Sequence, residues 1–203
     1  MGILTGAMTA RRFRVVGDLP SGWRDVYRER LDSMAFRDPV SRTGKEEVEG
    51  WVQVHNLLDT NFSNFNDWLS GPYAVFSLRV DKKTLPANLF RATVEKRCRE
   101  WCEQRGSERC PAAVKKEIQE RLELEWLERT LPRVSVTEIC WNTNEGWVLV
   151  GALSDKVGDR VRKRFHRTFG LELHAWSPLD WLDDASTVEK LLATGPSSMG
   201  GEG

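Results

Sequence analysis

Long apolar runs are missing from this chain of 203 residues. None approaches the roughly 20 residues that a helix needs to span a bilayer. Met1 to Ala10 also lacks the charged leader and apolar core of a secretory signal, so a cytoplasmic protein without membrane contact is expected. Charge of one sign is missing too: lysine plus arginine and aspartate plus glutamate both number 30, for a formal net charge of zero. A polyanion finds no global attraction here, and any nucleic-acid site must come from charges segregated on the surface. Histidine is scarce, and His55, His166 and His174 leave little material for an imidazole-based site. The four cysteines, Cys98, Cys102, Cys110 and Cys140, have neither zinc-knuckle spacing nor that of a secreted disulfide framework, which points to reduced thiols. No glycine-rich phosphate loop and no G-x-S-x-G elbow occurs. The expectation is a protein without cofactor or metal.

Tryptophan, by contrast, is plentiful, with nine residues against two tyrosines. Trp23, Trp51, Trp68, Trp101, Trp126, Trp141, Trp147, Trp176 and Trp181 are spread along the whole chain. That distribution favours core and interface packing over a base-stacking platform.

Periodicity organises the rest. Thr9 to Val16 alternates Phe13 and Val15 with arginines, as a half-buried strand does. Pro20-Ser21 offers a helix start, and Trp23, Val26, Tyr27 and Leu31 recur at helical spacing as far as Met34. A polar loop, Arg37 to Glu46, leads to a strand near Val48 to His55; Asn61 to Leu69 reads as a short helix, and Tyr73 to Val80 as a strand. Pro86 suits a first helical turn, and Phe90, Val94, Cys98, Trp101 and Cys102 follow as one apolar stripe. Gly106-Ser107 stops that helix and Pro111 opens another, lined by Val114, Ile118, Leu122 and Trp126. So short a linker implies an antiparallel helical hairpin. After Pro132 come two strands, Val134 to Trp141 and Trp147 to Ala152, about the turn Asn142 to Gly146. Ser154 fits an N-cap for a helix that Gly170 stops, and Leu171 to Trp176 is a last strand. From Ser177 the signal fades, and Thr194 to Gly203 reads as a disordered tail. The order predicts an α+β fold with a mainly antiparallel sheet, packed helices and a protruding helical hairpin, or finger. Residues 1–80 and 132–178 would form a discontinuous central domain, 81–131 the finger and 179–203 a partly disordered extension.

Several segments carry a family likeness in their order. Leu31-Asp32-Ser33-Met34-Ala35-Phe36 reads L-x-S-M-A-F at the end of the first helix. Arg79-Val80-Asp81-Lys82-Lys83-Thr84-Leu85-Pro86 joins strand to helix with basic residues ahead of Leu-Pro, and Leu131-Pro132-Arg133 leaves the charged helices. Then follow the turn ending at Gly146, a strand through Val150 and a helix from Ser154. Over roughly Thr9 to Trp176 the set resembles the recombination-associated RdgC family. The resemblance implies a non-catalytic, nucleoid-associated protein that binds double-stranded DNA without sequence preference and restrains a RecA-type recombinase. It also implies horseshoe-shaped subunits pairing into a ring, hence a homodimer or other homo-oligomer. The resemblance further implies that relatives run longer, and the portion expected to be absent here would carry much of their pairing. Other departures are Val134-Ser135-Val136-Thr137, where relatives carry Ser and Arg, Glu145-Gly146 in place of Asn-Gly, and Gly151 in place of Asp.

Sequence-independent DNA binding needs several cations on one face. On the helix from Ser154 to Phe169, Lys156, Arg160, Lys163, Arg164 and Arg167 fall in a stripe roughly 100° wide, at about 100° per residue. Val157, Val161, Phe165 and Phe169 occupy the adjoining face, so the helix can bury one side and present five cations on the other. A merely solvated basic face is the competing reading. Lys82, Lys83 and Arg133 form a second candidate DNA patch at the finger base. A protein-interaction module is the alternative function, with Trp126, Leu127 and Leu131 as the partner surface. A metal-dependent nuclease would need converging carboxylates, for which Asp180, Asp183 and Asp184 are the nearest material; a solvated acidic loop is the plainer reading. Cys98 and Cys102 share a helix face, but no further ligand follows at closed-site spacing.

Overall fold

The computed structural model describes residues 2–4, 6–38, 47–177, 182 and 184–193. Among these residues seven strands form a single sheet: β1 (Arg11–Val16), β2 (Val48–Val52), β3 (Leu69–Ser70), β4 (Tyr73–Lys82), β5 (Arg133–Asn142), β6 (Trp147–Val150) and β7 (Glu172–Ala175). Their order is β2-β4-β5-β6-β1-β7, with β3 paired beside β4, and every pairing is antiparallel. Among the described residues five helices complete the fold: α1 (Trp23–Ser33), α2 (Ala87–Arg105), α3 (Ala112–Arg129), α4 (Asp155–Phe169) and α5 (Ala185–Ala193). The architecture is α+β with a mainly antiparallel sheet.

Side chains alternate across a strand, so register assigns each residue to a face. Ala74, Phe76 and Leu78 of β4 lie opposite Trp141, Ile139 and Thr137 of β5, and Trp51 opposes Leu78. With Phe13, Val148 and Val150 from the neighbouring strands, they make the face on which α1 and α4 pack. α1 adds Tyr27 and Leu31, and α4 adds Val161, Phe165 and Phe169, all buried. The aromatic rings interlock here. Trp141 meets Phe165 edge-on at 5.2 Å, Tyr27 meets Phe169 at 5.0 Å, and Trp51 meets Phe76 at 5.1 Å. Each such pair contributes about 0.5–1.5 kcal/mol beyond the area it buries. Thus three tryptophans, Trp51, Trp68 and Trp141, serve the core. Trp181 lies outside the described residues.

β4 and β5 pair over their full ten residues, from Tyr73 opposite Asn142 to Lys82 opposite Arg133. The finger is inserted at the Lys82–Arg133 end, and α2 and α3 pack mainly on each other. Val94, Cys98 and Leu122 form their own small core, flanked by Phe90, Cys110, Ile118 and Trp126. Gly106 ends α2 with φ 60°, a left-handed conformation that glycine adopts without steric cost.

Three local expectations are corrected. The short helix over Asn61 to Leu69 is a single 3-10 turn, Phe65–Asp67, followed by β3. Asn61 Oδ1 accepts from the Ser63 amide and Asn64 Oδ1 from the Asn66 amide, so side chains take the donors a helix would use. β2 stops at Val52, because the Gln53 amide turns to the Asp59 carbonyl. The fading signal after Ser177 conceals α5, which Asp184 starts by accepting from the Ser186 and Thr187 amides. The polar loop beyond Asp38 and the tail from Thr194 lie outside the described residues.

Candidate nucleic-acid interface

α4 is built to carry charge on one side. Its apolar face meets the sheet, where buried Gly158 packs beside the Phe13 ring. Gly170 closes the helix at φ 73°. Ser154 occupies the N-cap position, although its hydroxyl makes no capping bond.

The basic stripe divides according to its angular position. Arg164 is its outermost member, about 20° from Val157 by helical geometry, and the fold draws it inward. Its guanidinium donates to the Met34 carbonyl at 2.9 Å and the Glu49 carbonyl at 3.3 Å, and lies 3.8 Å from the Glu49 carboxylate. Only 13% of this side chain is exposed. Burial lowers the Arg164 pKa from its ordinary value, while Glu49 opposes that shift. The expectation of five outward cations is therefore corrected at Arg164, which braces α4 against β2. Arg160, next in angle, bonds the Glu47 carboxylate and lies 3.7 Å from that of Glu49.

Lys156, Lys163 and Arg167 lie at the centre and far side of the stripe and are exposed. Among the described residues they form no ion pair. With Glu49, Asp159 and Arg160 they line an open groove between α4 and the β2 edge.

The finger-base cations behave differently from one another. Lys82 Nζ reaches the Glu47 carboxylate at 2.7 Å, so Glu47 bridges Lys82 on β4 and Arg160 on α4. The hydrogen bond from Lys82, helped by Arg160, holds the Glu47 carboxyl below its ordinary value against a smaller opposing effect of burial. Arg133, opposite Lys82, is exposed. Lys83 is buried, with Nζ donating to the Leu127 carbonyl, and this corrects its assignment to a phosphate-facing patch. Two patches far apart in sequence thus join through a single carboxylate. Glu47 and Glu49 escaped the sequence reading; the signal was the Glu-Val-Glu alternation at the start of β2, which places both on one face.

The alternative partner surface is also only partly present. Leu131 is 87% exposed, but Leu127 is buried and Trp126 packs edge-on against Phe90 at 5.6 Å. On the sheet face away from α1 and α4, Arg12 lies over the rings of Trp176 at 4.0 Å and Trp147 at 5.1 Å, a stacked cation that strand alternation alone did not single out. Of the three aspartates considered for metal chemistry, Asp180 and Asp183 lie outside the described residues. The Asp184 carboxyl caps α5 and is held low by bonds from the Thr187 and Ser186 hydroxyls and the Ser186 amide. Among the described residues, no group of three or more His, Cys, Asp or Glu side chains is placed to hold a metal ion. His174 is tied to Glu172 at 3.1 Å. No described helix is long and apolar enough to cross a membrane.

Residues 12–181 match the family model described as "Putative exonuclease, RdgC". The chain belongs to the RdgC family. The RdgC match begins within β1 and runs past β7, so it takes in the sheet, the finger and the groove beside α4. No curated protein matches the chain.

Proposed function

We propose that this RdgC-family chain is a non-catalytic, sequence-independent binder of double-stranded DNA that acts in recombination or replication. The observation that carries this reading is the exposed trio Lys156, Lys163 and Arg167, unpaired among the described residues on the rim of an open groove. Arg160, Lys82 and Arg133 extend the cationic row toward the finger, although Glu47 offsets part of their charge. With a formal net charge of zero, attraction to phosphates has to be local, and in this groove Lys156, Arg160, Lys163 and Arg167 outnumber the carboxylates of Glu49 and Asp159. A RecA-type recombinase as protein partner, a homodimer or other homo-oligomer as assembly, and a place at the nucleoid follow from the family likeness and belong to the same proposal.

The family description names an exonuclease, and nuclease chemistry with two metals needs carboxylates converging on one point. Among the described residues no such group is present, and Asp180 and Asp183 lie outside them.

The test is fluorescence anisotropy of duplex DNA across a salt series, with wild type and a Lys156→Glu/Lys163→Glu/Arg167→Glu variant. Each phosphate contact adds about 0.9 to the slope of log affinity against log salt, so losing three contacts should flatten it by about 3 units. Absence of wild-type binding at low salt would overturn the reading, and divalent-dependent loss of the labelled DNA would restore the nuclease. One observation favours the second reading, a protein-interaction module: Leu131, Val134 and Val136 are exposed apolar residues where the finger meets the sheet. Serine at all three positions should leave DNA affinity unchanged and weaken capture of a protein partner.

A further inference from the structure

The finger gathers three of the four cysteines, and DNA binding makes no use of them. Cys98 and Cys102 lie one helical turn apart in α2, and Cys110 comes back from the loop ahead of α3. Cys98 is buried in the finger core, and Cys110 packs against that core from the side. Both cysteines thus belong to one small apolar cluster, Cys98 within it and Cys110 at its flank. Cys110 is the outer member, partly exposed, with its sulfur 3.8 Å from the Pro111 carbonyl oxygen.

Geometry selects one pair from the three. Residues four apart on a helix hold their Cβ atoms about 5–6 Å apart, whereas a disulfide needs about 3.5–4.5 Å. Cys98 and Cys102 therefore cannot join without unwinding α2. Cys110 stands on a separate segment and packs against the finger core that holds Cys98 and not Cys102.

We propose that Cys110 and Cys98 form an oxidative modification site for a low-molecular-weight disulfide, ending in an intramolecular Cys98–Cys110 bond. In the first step the Cys110 thiolate attacks one sulfur of the reagent. The reagent's S–S bond breaks, and the departing thiolate takes up the proton that Cys110 gave up. In the second step the Cys98 thiolate attacks Cys110 Sγ and expels the remaining reagent thiolate, which takes the Cys98 proton. Two protein thiols are oxidised by two electrons, and one reagent disulfide becomes two thiols. Burial raises the Cys98 pKa above the ordinary thiol value, so this second step is the slower one at neutral pH and quickens as pH rises. The bond would close the loop around Gly106 and tie the last turns of α2 to the start of α3.

Trypsin makes the test direct, because it separates the three cysteines into Cys98–Arg99, Glu100–Arg105 and Cys110–Lys115. The folded chain is treated with glutathione disulfide, remaining thiols are alkylated, and the digest is analysed by mass spectrometry. The expected product is Cys98–Arg99 joined to Cys110–Lys115 with the loss of two hydrogens, unchanged in a Cys102→Ser variant. A Cys98→Ala variant should stop at the mixed disulfide on Cys110, and a Cys110→Ser variant should form no cross-link. Recovery of wild-type Cys110–Lys115 alkylated, still carrying glutathione, or joined to Glu100–Arg105 would overturn the proposal.

Discussion

The Trp51 indole donates its Nε1 hydrogen to the Thr168 hydroxyl at 2.8 Å, and Thr168 donates in turn to the Arg164 carbonyl at 2.8 Å. An edge strand of the sheet is thereby tied to the last turn of α4, through groups that are almost wholly buried. Thr168→Val keeps the shape and leaves the indole N–H without its acceptor. The expected cost is about 1–3 kcal/mol, read from the urea midpoint at unchanged slope. An unchanged midpoint would show that this bond adds nothing.

Gly50 sets a tighter limit. A Cβ there would come within 2.2 Å of the Phe36 Cα and 2.4 Å of its backbone nitrogen. Phe36 donates its amide to the Trp51 carbonyl, so the segment leaving α1 runs against β2 and has nowhere to retreat. Gly50→Ala should lower thermal stability by about 3 kcal/mol or more, or leave the chain unfolded by circular dichroism.

Arg79 and Asp81 form a two-pronged ion pair, with both bonds at 2.8 Å and Asp81 fully buried. Arg79 also donates to the Leu57 carbonyl at 3.0 Å and lies over the Phe36 ring. Removing Asp81 takes both carboxylate bonds from the buried guanidinium. Asp81→Ala is expected to cost about 3–5 kcal/mol, whereas a joint Arg79→Met/Asp81→Leu replacement should cost clearly less than the sum of the two single changes.

Glu47 restrains the cations it bridges. Glu47→Gln should free Lys82 and leave Arg160 with Glu49 alone, and on the proposed DNA role the salt slope of binding should steepen by about 1 unit. Stability should move the other way with pH. A carboxyl held below its ordinary value of 4.5 stabilises the fold above that value and loses its contribution as pH falls through the folded value. The wild type should therefore be more stable than Glu47→Gln at neutral pH, with the difference disappearing in acid. Denaturant midpoints at pH 7 and pH 3 measure both ends.

Elements defined by one strong period were legible in the chain. The bounded apolar run of Tyr73 to Val80 locates β4, a strand buried on both faces, and the 3.6-residue repeat of Val157, Val161, Phe165 and Phe169 locates α4 because burial of one helix face imposes that period. Asn61 to Leu69 misled because Phe62, Phe65 and Trp68 mimic a helical stripe while asparagine side chains claim the amides. α5 stayed hidden for the opposite reason: none of its residues is buried, so no packed face marks it. The cations of α4 could be placed on a stripe, but which of them reach solvent depended on Glu47 and Glu49, brought beside the helix only by β2–β4 pairing. Electrostatic partners across a fold have no period to reveal them.

The finger's place in the chain bears on how the sheet can assemble. β4 and β5 are neighbours for ten residue pairs, yet two whole helices separate them in sequence. A flexible connection of that length would spend conformational entropy each time the strands met. α2 and α3 instead contact each other locally, and the Lys83 amine grips the Leu127 carbonyl across the stem. A hairpin formed early would deliver the end of β4 and the start of β5 side by side, so that the central pairing closes like a zip from its finger end. The projecting arm then serves twice, as a nucleus for the longest ladder in the sheet and as the extension that reaches beyond it.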